Sequence, residues 1–376
     1  VTGVQTCALP ILDEAVERGA RGLIVRERSP DGLEGAAPHV IRVDDTTEAM
    51  ARIAAGLRSM ASIPVVCITG TNGKTTTKDI LSHILSKKFR VLKSKSSYNN
   101  IIGLSLTIFD MDPRHEVAVF ELGTNHPGEI PVLAQIAAPN IAVITNIGDG
   151  HLEYFGNREG VFLEKASLLD YLPENGIAFL NGDDPLLARA SARGVSKKYF
   201  GVSDRSDHVI ECAGHDGCAS AFTVNGMPFT APFKGEHNVH NAAAAIAVAG
   251  SFGLAYGEIK EALSDAELPG MRMERVSAGG LSFINDGYNS NPGSFECALK
   301  VLKEDRAPGM KCVVAGEMME LGRMSGEFHR MIGRSIADKG IGLLITVGEM
   351  AAKMAEGALD AGMPADRVCT AGTCGE

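Results

Sequence analysis

The residues best suited to chemistry lie in one run, Val65-Val-Cys-Ile-Thr-Gly-Thr-Asn-Gly-Lys-Thr-Thr-Thr77. An apolar strand enters a glycine-bearing loop, and Ile80, Leu81, Ile84 and Leu85 then recur at helical spacing. Such a turn aims backbone N–H groups and a helix N-terminus at phosphate. Gly70, Thr71, Asn72, Gly73 and Thr76 would shape the cradle, Lys74 would add positive charge, and Thr75 would offer a hydroxyl to Mg²⁺. Ile68 stands where the general phosphate-loop pattern has its first glycine, so the core Gly70–Thr75 is a shorter match. The competing reading is an ordinary strand–turn–helix corner.

Further polar residues fall where apolar runs end, the usual location of sites in open α/β sheets. Glu121 closes the run starting at Val117, and a carboxylate there suits Mg²⁺ directly or through water, or is a solvated edge residue. His151 follows a glycine-rich turn after Ile141–Ile147, as a metal ligand or a plain loop histidine. Asn157 can N-cap a helix with the stripe Val161, Leu168 and Leu172, and Lys165 falls on that stripe. A lysine there either snorkels outward or is desolvated with a lowered pKa. Asn238 and Asn241 open a small-residue helix, where they can cap it or read an adenine edge. Arg272 lies at a domain junction, where a guanidinium can meet a transferring phosphoryl group, and Asp286 just past a strand can take ribose hydroxyls.

The elements that must position these groups read as α/β. The chain has 376 residues, enough for two or three domains, and its 43 glycines punctuate short apolar runs. A net charge of −10 argues against a nucleic-acid or anionic-membrane partner yet permits nucleotide binding. No run reaches the roughly 18 apolar residues of a membrane span. Eight cysteines include no Cys-x-x-Cys pair, which favours reduced, buried thiols in a cytoplasmic protein. Residues 12–58 read as helix 12–18, strand 22–25 and helix 47–60, the tail of a small α/β domain. A largely parallel sheet with flanking helices is expected from about 62 to 270. From 272 a Rossmann-like alternation is expected, with strands 281–285, 312–315 and 342–347 and helices 294–303 and 327–339. Residues 1–11 have no initiator Met and no basic leader, and read as foreign sequence joined to the frame.

Together and in this order, the motifs over residues 12–376 resemble the Mur ligase family, ATP-dependent amide-bond-forming enzymes of peptidoglycan synthesis. The resemblance rests on Gly70–Thr75, Asn99-Asn-Ile-Ile-Gly103, Glu121-Leu-Gly-Thr-Asn-His-Pro-Gly-Glu-Ile130, and Thr145-Asn-Ile-Gly with His151-Leu-Glu. It rests also on His237-Asn with Asn241, Asn285-Asp-Gly-Tyr-Asn-Ser-Asn-Pro292, and Gly316-Glu-Met-Met-Glu-Leu-Gly322. The Asn-His-Pro-Gly-Glu-Ile and Tyr-Asn-x-Asn-Pro segments resemble the branch that joins D-Ala-D-Ala to UDP-N-acetylmuramoyl-tripeptide. A MurE-like chain would more often carry Asp-Tyr-Ala-His at the second place, and a folylpolyglutamate synthase Gly-Lys-Gly in the loop.

The resemblance implies a three-domain architecture. Residues 12–60 would be the remnant of an N-terminal UDP-sugar-binding domain, 61–271 the central ATP-binding domain with its phosphate-loop parallel sheet, and 272–376 an incomplete Rossmann-like domain. It implies ATP and two Mg²⁺ ions, with Lys74 on the β/γ-phosphates, Thr75 and Glu121 on one ion, and His151 on the second. Lys165 would be the family's carbamylated lysine, a further metal ligand. Asn238 and Asn241 would face adenine, Arg272 the γ-phosphate and Asp286 the ribose. The implied reaction forms an acyl phosphate that the amine of D-Ala-D-Ala attacks, in a monomer. A nucleotide-binding chain without ligase turnover, and a generic phosphate-loop ATPase or kinase, are the alternative readings.

Overall fold

The short apolar runs become strands and the stripes between them helices, in three successive groups. The computed structural model describes residues 8–27, 39–216 and 219–373. The first group comprises α1 (Ala8–Glu17), β1 (Leu23–Arg26), β2 (Val40–Val43) and α2 (Thr46–Ser59), with β1 and β2 paired in parallel. Strand β2 escapes the sequence reading because its four residues are half-buried or exposed and carry almost no periodic signal. Asp45 starts α2 by accepting from the N–H groups of Thr47 and Glu48, at 2.8 and 2.9 Å. Of the supposedly foreign residues 1–11, the first seven lie outside the described residues, and Ala8–Ile11 belong to α1.

The second group carries the large sheet. It runs β3 (Val65–Thr69), α3 (Lys74–Ser86), β4 (Val91–Lys93), α4 (Ile101–Phe109), β5 (Val117–Glu121), α5 (Glu129–Ala137), β6 (Ile141–Ile144), α6 (Leu152–Phe155) and α7 (Arg158–Ala166). It continues with β7 (Ile177–Asn181), β8 (Ser196–Gly201), β9 (His208–Asp216), β10 (Ala219–Val224), β11 (Met227–Ala231), α8 (Glu236–Ser251) and α9 (Tyr256–Ser264). Nine strands order as β11-β10-β9-β8-β7-β6-β3-β5-β4, parallel from β4 to β9 and antiparallel through β10 and β11. The largely parallel sheet expected from the sequence is thus present, with an antiparallel edge.

Every residue of β3, β5 and β6 is buried, because helices cover both faces of the sheet. Alternate β3 residues divide between two cores: Val66 and Ile68 pack towards α3, α8 and α9, and Val65 and Cys67 towards α2, α4 and α5. Between β3 and β6 the connections leave in opposite directions, one through α3 to β4 and the other onward to β7. That reversal opens a crevice at the strands' carboxyl ends, where the phosphate loop sits.

The third group comprises β12 (Glu274–Ala278), β13 (Leu281–Asn285), α10 (Pro292–Glu304), β14 (Cys312–Ala315), α11 (Ser325–Asp338), β15 (Leu343–Val347), α12 (Ala352–Asp360) and β16 (Val368–Ala371). One sequence expectation fails here. Strand 281–285 does not begin the Rossmann-like sheet; it pairs antiparallel with β12, and the parallel sheet is β14-β15-β16. A two-residue Gly279-Gly280 connection can only fold a strand back on its predecessor, and β12, exposed at every position, showed no apolar pattern. The thiols also differ from expectation. Among the described cysteines all are free, but only Cys67 is fully buried; Cys212, Cys312 and Cys369 are exposed. Each exposed one lies at an outward-facing strand position, which apolar neighbours in sequence conceal. Cys7, Cys218 and Cys374 lie outside the described residues.

Asp305, at the end of α10, ties the β12–β13 ribbon to the second group: Arg275 donates to it and Lys234 lies 3.6 Å away. The Arg275 hydrogen bond foremost holds its carboxyl down, from 3.8 to about 2. A depressed carboxylate contributes stability above its unfolded-state pKa and loses it as pH falls through the folded one. Asp305→Asn should therefore lower the thermal midpoint at neutral pH. In melts over a pH series, the gap to wild type should close between pH 3.8 and about 2.

Candidate active site

The phosphate loop is braced from beneath by the end of β6. The N–H of Thr71 donates to the Asn146 carbonyl and that of Asn72 to Asn146 Oδ1, both at 3.0 Å. The Asn72 carbonyl accepts from Thr145 Oγ1 at 2.5 Å and from Asn146 Nδ2 at 3.0 Å. Thr71 and Asn72 thus commit their amides to the brace. What remains is the N-terminus of α3, where no side chain caps the helix and the first-turn N–H groups stay open to an anion. Two glycines are obligatory. A Cβ on Gly70 (φ +145) would lie 1.9 Å from Thr145 Oγ1, and one on Gly73 (φ +83) 2.2 Å from Asn241 Oδ1.

Positive charge collects above this loop. Lys74 Nζ folds back onto the carbonyls of Gly70 and Thr71, at 2.9 and 3.0 Å. Desolvation pulls its pKa down, Glu121 opposes that, and the Arg272 charge adds to it. Lys165 does not snorkel: only 1% of it is exposed, and none of the described residues accepts a hydrogen bond from its ammonium. Burial first, and then the charge of Lys74, push its pKa well below the ordinary lysine value against the pull of Glu164. Glu164 is itself committed to α5, accepting from the N–H groups of Gly128 and Ile130 at 2.8 Å each. Asn157 caps α7, the helix that carries Lys165, as the sequence suggested, by accepting from the Gly160 N–H.

Opposing charge comes from Glu121, which is 1% exposed. Asn99 Nδ2 donates to its Oε1 at 2.8 Å, whereas its Oε2 is buried with no partner. An orphaned carboxylate oxygen costs roughly 1–3 kcal/mol or more unless something occupies it. Thr75 is buried nearby on α3. His151, in a left-handed conformation (φ 57), meets Glu320 through Nδ1. Burial pulls its pKa down, Glu320 opposes this, and the charges of Lys165 and Lys74 reinforce it. Among the described residues no three His, Cys, Asp or Glu side chains converge as a metal cage. Mg²⁺ usually takes one or two carboxylates and completes its shell with phosphate oxygens and water, and the orphaned Glu121 oxygen is a donor of that kind. The donors present fit such an ion.

These groups face a cavity of about 770 Å³, and every sequence-predicted site residue except Gly70 and Lys165 lines it. Asn238 Nδ2 donates to the Lys234 carbonyl at 2.9 Å, and Asn241 accepts from Thr77 Oγ1 at 3.4 Å. Arg272, flanked by Met271 and Met273 (both φ 56), stacks over the Tyr288 ring at 4.3 Å. Asp286 accepts from the Met273 N–H at 3.0 Å, and burial pushes its carboxyl up.

Several contacts in and beside the cleft escaped the sequence reading. Asn72 and Asn291 exchange two amide hydrogen bonds, of 3.2 and 2.6 Å, so the phosphate loop is tied to the N-cap of α10. Ser97 meets the Tyr288 hydroxyl, and the buried Lys78 donates to the carbonyls of Ser94 and Ser96. Lys78 had a signal, since it sits one turn after Lys74 and one turn before Leu81 on the buried face of α3. The Asn72–Asn291 pair had none, being 219 residues apart.

A phosphate-loop sheet sharing a cation-lined cleft with a smaller parallel unit is the arrangement of Mur ligases. The Mur ligase middle domain matches residues 68–249, and the Mur ligase glutamate ligase domain matches 271–373. The chain belongs to the Mur ligase family. Within it, the chain is 37% identical over 351 residues to the UDP-N-acetylmuramoyl-tripeptide–D-alanyl-D-alanine ligase of Bacillus subtilis, covering 93% of itself and 76% of that protein. It superposes on a crystal structure of MurF from Acinetobacter baumannii with TM-score 0.87 and 30% identity, covering 98% of this chain and 80% of that one. A MurF ligase of Thermotoga maritima, solved in complex with ADP, gives TM-score 0.84 and 27% identity over 98% of this chain and 83% of its own.

Gly73→Ala tests the cradle. The left-handed backbone and the encounter with Asn241 should together cost about 1–2 kcal/mol or more. ADP affinity by titration calorimetry should fall at least about tenfold, alongside a lower melting midpoint.

Proposed function

We propose that the protein is an ATP-dependent, ADP-forming ligase that joins D-Ala-D-Ala to UDP-N-acetylmuramoyl-tripeptide in peptidoglycan synthesis. The observation that carries this is the orphaned Glu121 oxygen, in a cleft it shares with Lys74 and the uncapped N-terminus of α3, which together suit a metal-bound polyphosphate. The 37% identity to the B. subtilis ligase supports the substrate class.

In this reading the α3 N-terminus and Lys74 hold the β- and γ-phosphates, Asn238 and Asn241 border the adenine, and Asp286 takes the ribose. Thr75 and Glu121 hold one Mg²⁺; His151 and Lys165 hold a second. The low pKa of Lys165 matters because only a neutral amine adds to CO₂, losing a proton to become a carbamate that ligates like a carboxylate. Mg²⁺ at these donors would neutralise charge on the phosphate oxygens during transfer. The tripeptide carboxylate attacks the γ-phosphorus, ADP leaves, and Arg272 stabilises charge on the transferring group. The dipeptide amine then attacks the acyl phosphate, loses a proton, and the tetrahedral intermediate expels phosphate. The reading has the protein work in the cytoplasm as a monomer without a nucleic-acid partner. No described helix is long and apolar enough to cross a membrane.

Phosphate release should require both UDP-N-acetylmuramoyl-tripeptide and D-Ala-D-Ala. Release with glutamate or meso-diaminopimelate as acceptor, and never with the dipeptide, would assign the chain to another ligase. Lys165→Ala should be inactive at least a hundredfold below wild type and regain turnover when acetate supplies the missing carboxylate; no rescue by any short carboxylic acid would count against the metal-ligand role.

A further inference from the structure

Glu320 lies outside every assigned role, yet the third group delivers it to His151, which lines the cleft. The segment after β14 is held by its own unit: the Met318 N–H donates to His329 Nε2 at 3.0 Å, and the Met350 N–H donates to Glu317 Oε1 at 2.8 Å. His329 Nδ1 in turn donates to the Ser325 carbonyl at 2.7 Å. Met318 and Leu321 are buried on either side of the exposed Met319, which anchors the segment in the third core. Glu320 itself adopts φ 60, a conformation that costs a side-chain-bearing residue energy and persists only where surroundings enforce it. Its carbonyl accepts from the Glu153 N–H at 3.1 Å, while its carboxylate meets His151 Nδ1. Backbone and side chain thus grip the same turn, from the third group.

The chemistry of that contact sets the tautomer. An ionised carboxylate only accepts, so Nδ1 must carry the proton and Nε2 of the neutral ring keeps its lone pair. No described residue bonds Nε2, and the ring lines the cavity. We propose that Glu320 is a positioning residue that fixes the His151 tautomer and ring orientation from the third group, leaving Nε2 to ligate the metal. This rests on the reading of His151 as a metal ligand. Carboxylate–histidine–metal relays are the common way proteins orient such rings. Here the carboxylate comes from a different unit than the histidine, so the ring is presented only when the third group is seated on the second.

The test uses the full-length chain in three forms. In metal-free protein with ¹⁵N-labelled histidine, long-range ¹H–¹⁵N spectra should show His151 protonated at Nδ1 in wild type and losing that preference in Glu320→Ala. Glu320→Gln keeps an acceptor oxygen but can also donate, so its Nδ1 preference should fall between those of wild type and Glu320→Ala. With Mn²⁺ as the metal probe, half-maximal phosphate release should need about ten- to a hundredfold more metal in Glu320→Ala. In Glu320→Gln the requirement should stay within a fewfold of wild type. An unchanged tautomer and Mn²⁺ requirement in Glu320→Ala would overturn the proposal alone, as would tighter Mn²⁺ binding, which would make Glu320 a competitor for the ring. His151→Ala with a wild-type Mn²⁺ requirement would instead overturn the metal reading, and the proposal with it.

Discussion

Positive charge gathered around one half-satisfied carboxylate is the constraint around which this cleft is arranged. The charge of Arg272 bears on Lys74 and that of Lys74 on the buried Lys165, and desolvation foremost pulls both lysines below their ordinary pKa. Isolated buried charges are costly, of the order of several kcal/mol per ion after relaxation. The carboxylate within reach, Glu121, satisfies one oxygen on Asn99 and leaves the other bare. The cleft is therefore electrostatically incomplete by itself. In the proposed reading a polyphosphate with its metal would supply both the missing anion and the missing cation for Glu121, so the same groups would serve binding and phosphoryl transfer.

Holding such a cleft requires a stiff frame. Strand β3 is buried on both faces, so the loop leaving it cannot drift, and the ends of β5 and β6 deliver Glu121 and the Asn146 brace beside it. The brace consumes the amides of Thr71 and Asn72 and narrows the anion site to the start of α3. The absent first glycine follows from this. Ile68 belongs to the strand and packs in a core, and the tight approach to β6 falls instead on Gly70.

The third group closes the cleft through polar contacts at several points: Asn291 on the phosphate loop, Tyr288 on Ser97, and Glu320 on His151. Small polar contacts between units suit parts that separate and reseat, since they can exchange for water with little net cost. In the proposed reading each lands on, or beside, a group that would address phosphate or metal. In that reading, seating the third group and completing the site would be one event.

Much of the site was legible in residue types and order. Gly70–Thr75, Glu121, His151, Arg272 and Asp286 stand at strand ends or junctions, where local patterning alone marks them, and the Asn157 cap and Lys165 stripe follow from helical period. Local patterning also carried the α/β class and the phosphate-loop sheet. It misplaced strand 281–285, missed β2 and β12, and buried cysteines that face outward, because apolar runs do not state which partner a strand takes or which face is covered. Tertiary structure alone decided that Lys165 stays inside, since a lysine on an apolar stripe can snorkel unless the neighbouring layer blocks its exit. It alone joined Asn72 to Asn291 and His151 to Glu320, pairs more than 160 residues apart whose meeting depends on how two units pack. Sequence determines what each residue can donate, accept or neutralise; only packing determines which of those capacities remain unspent and point into the same space.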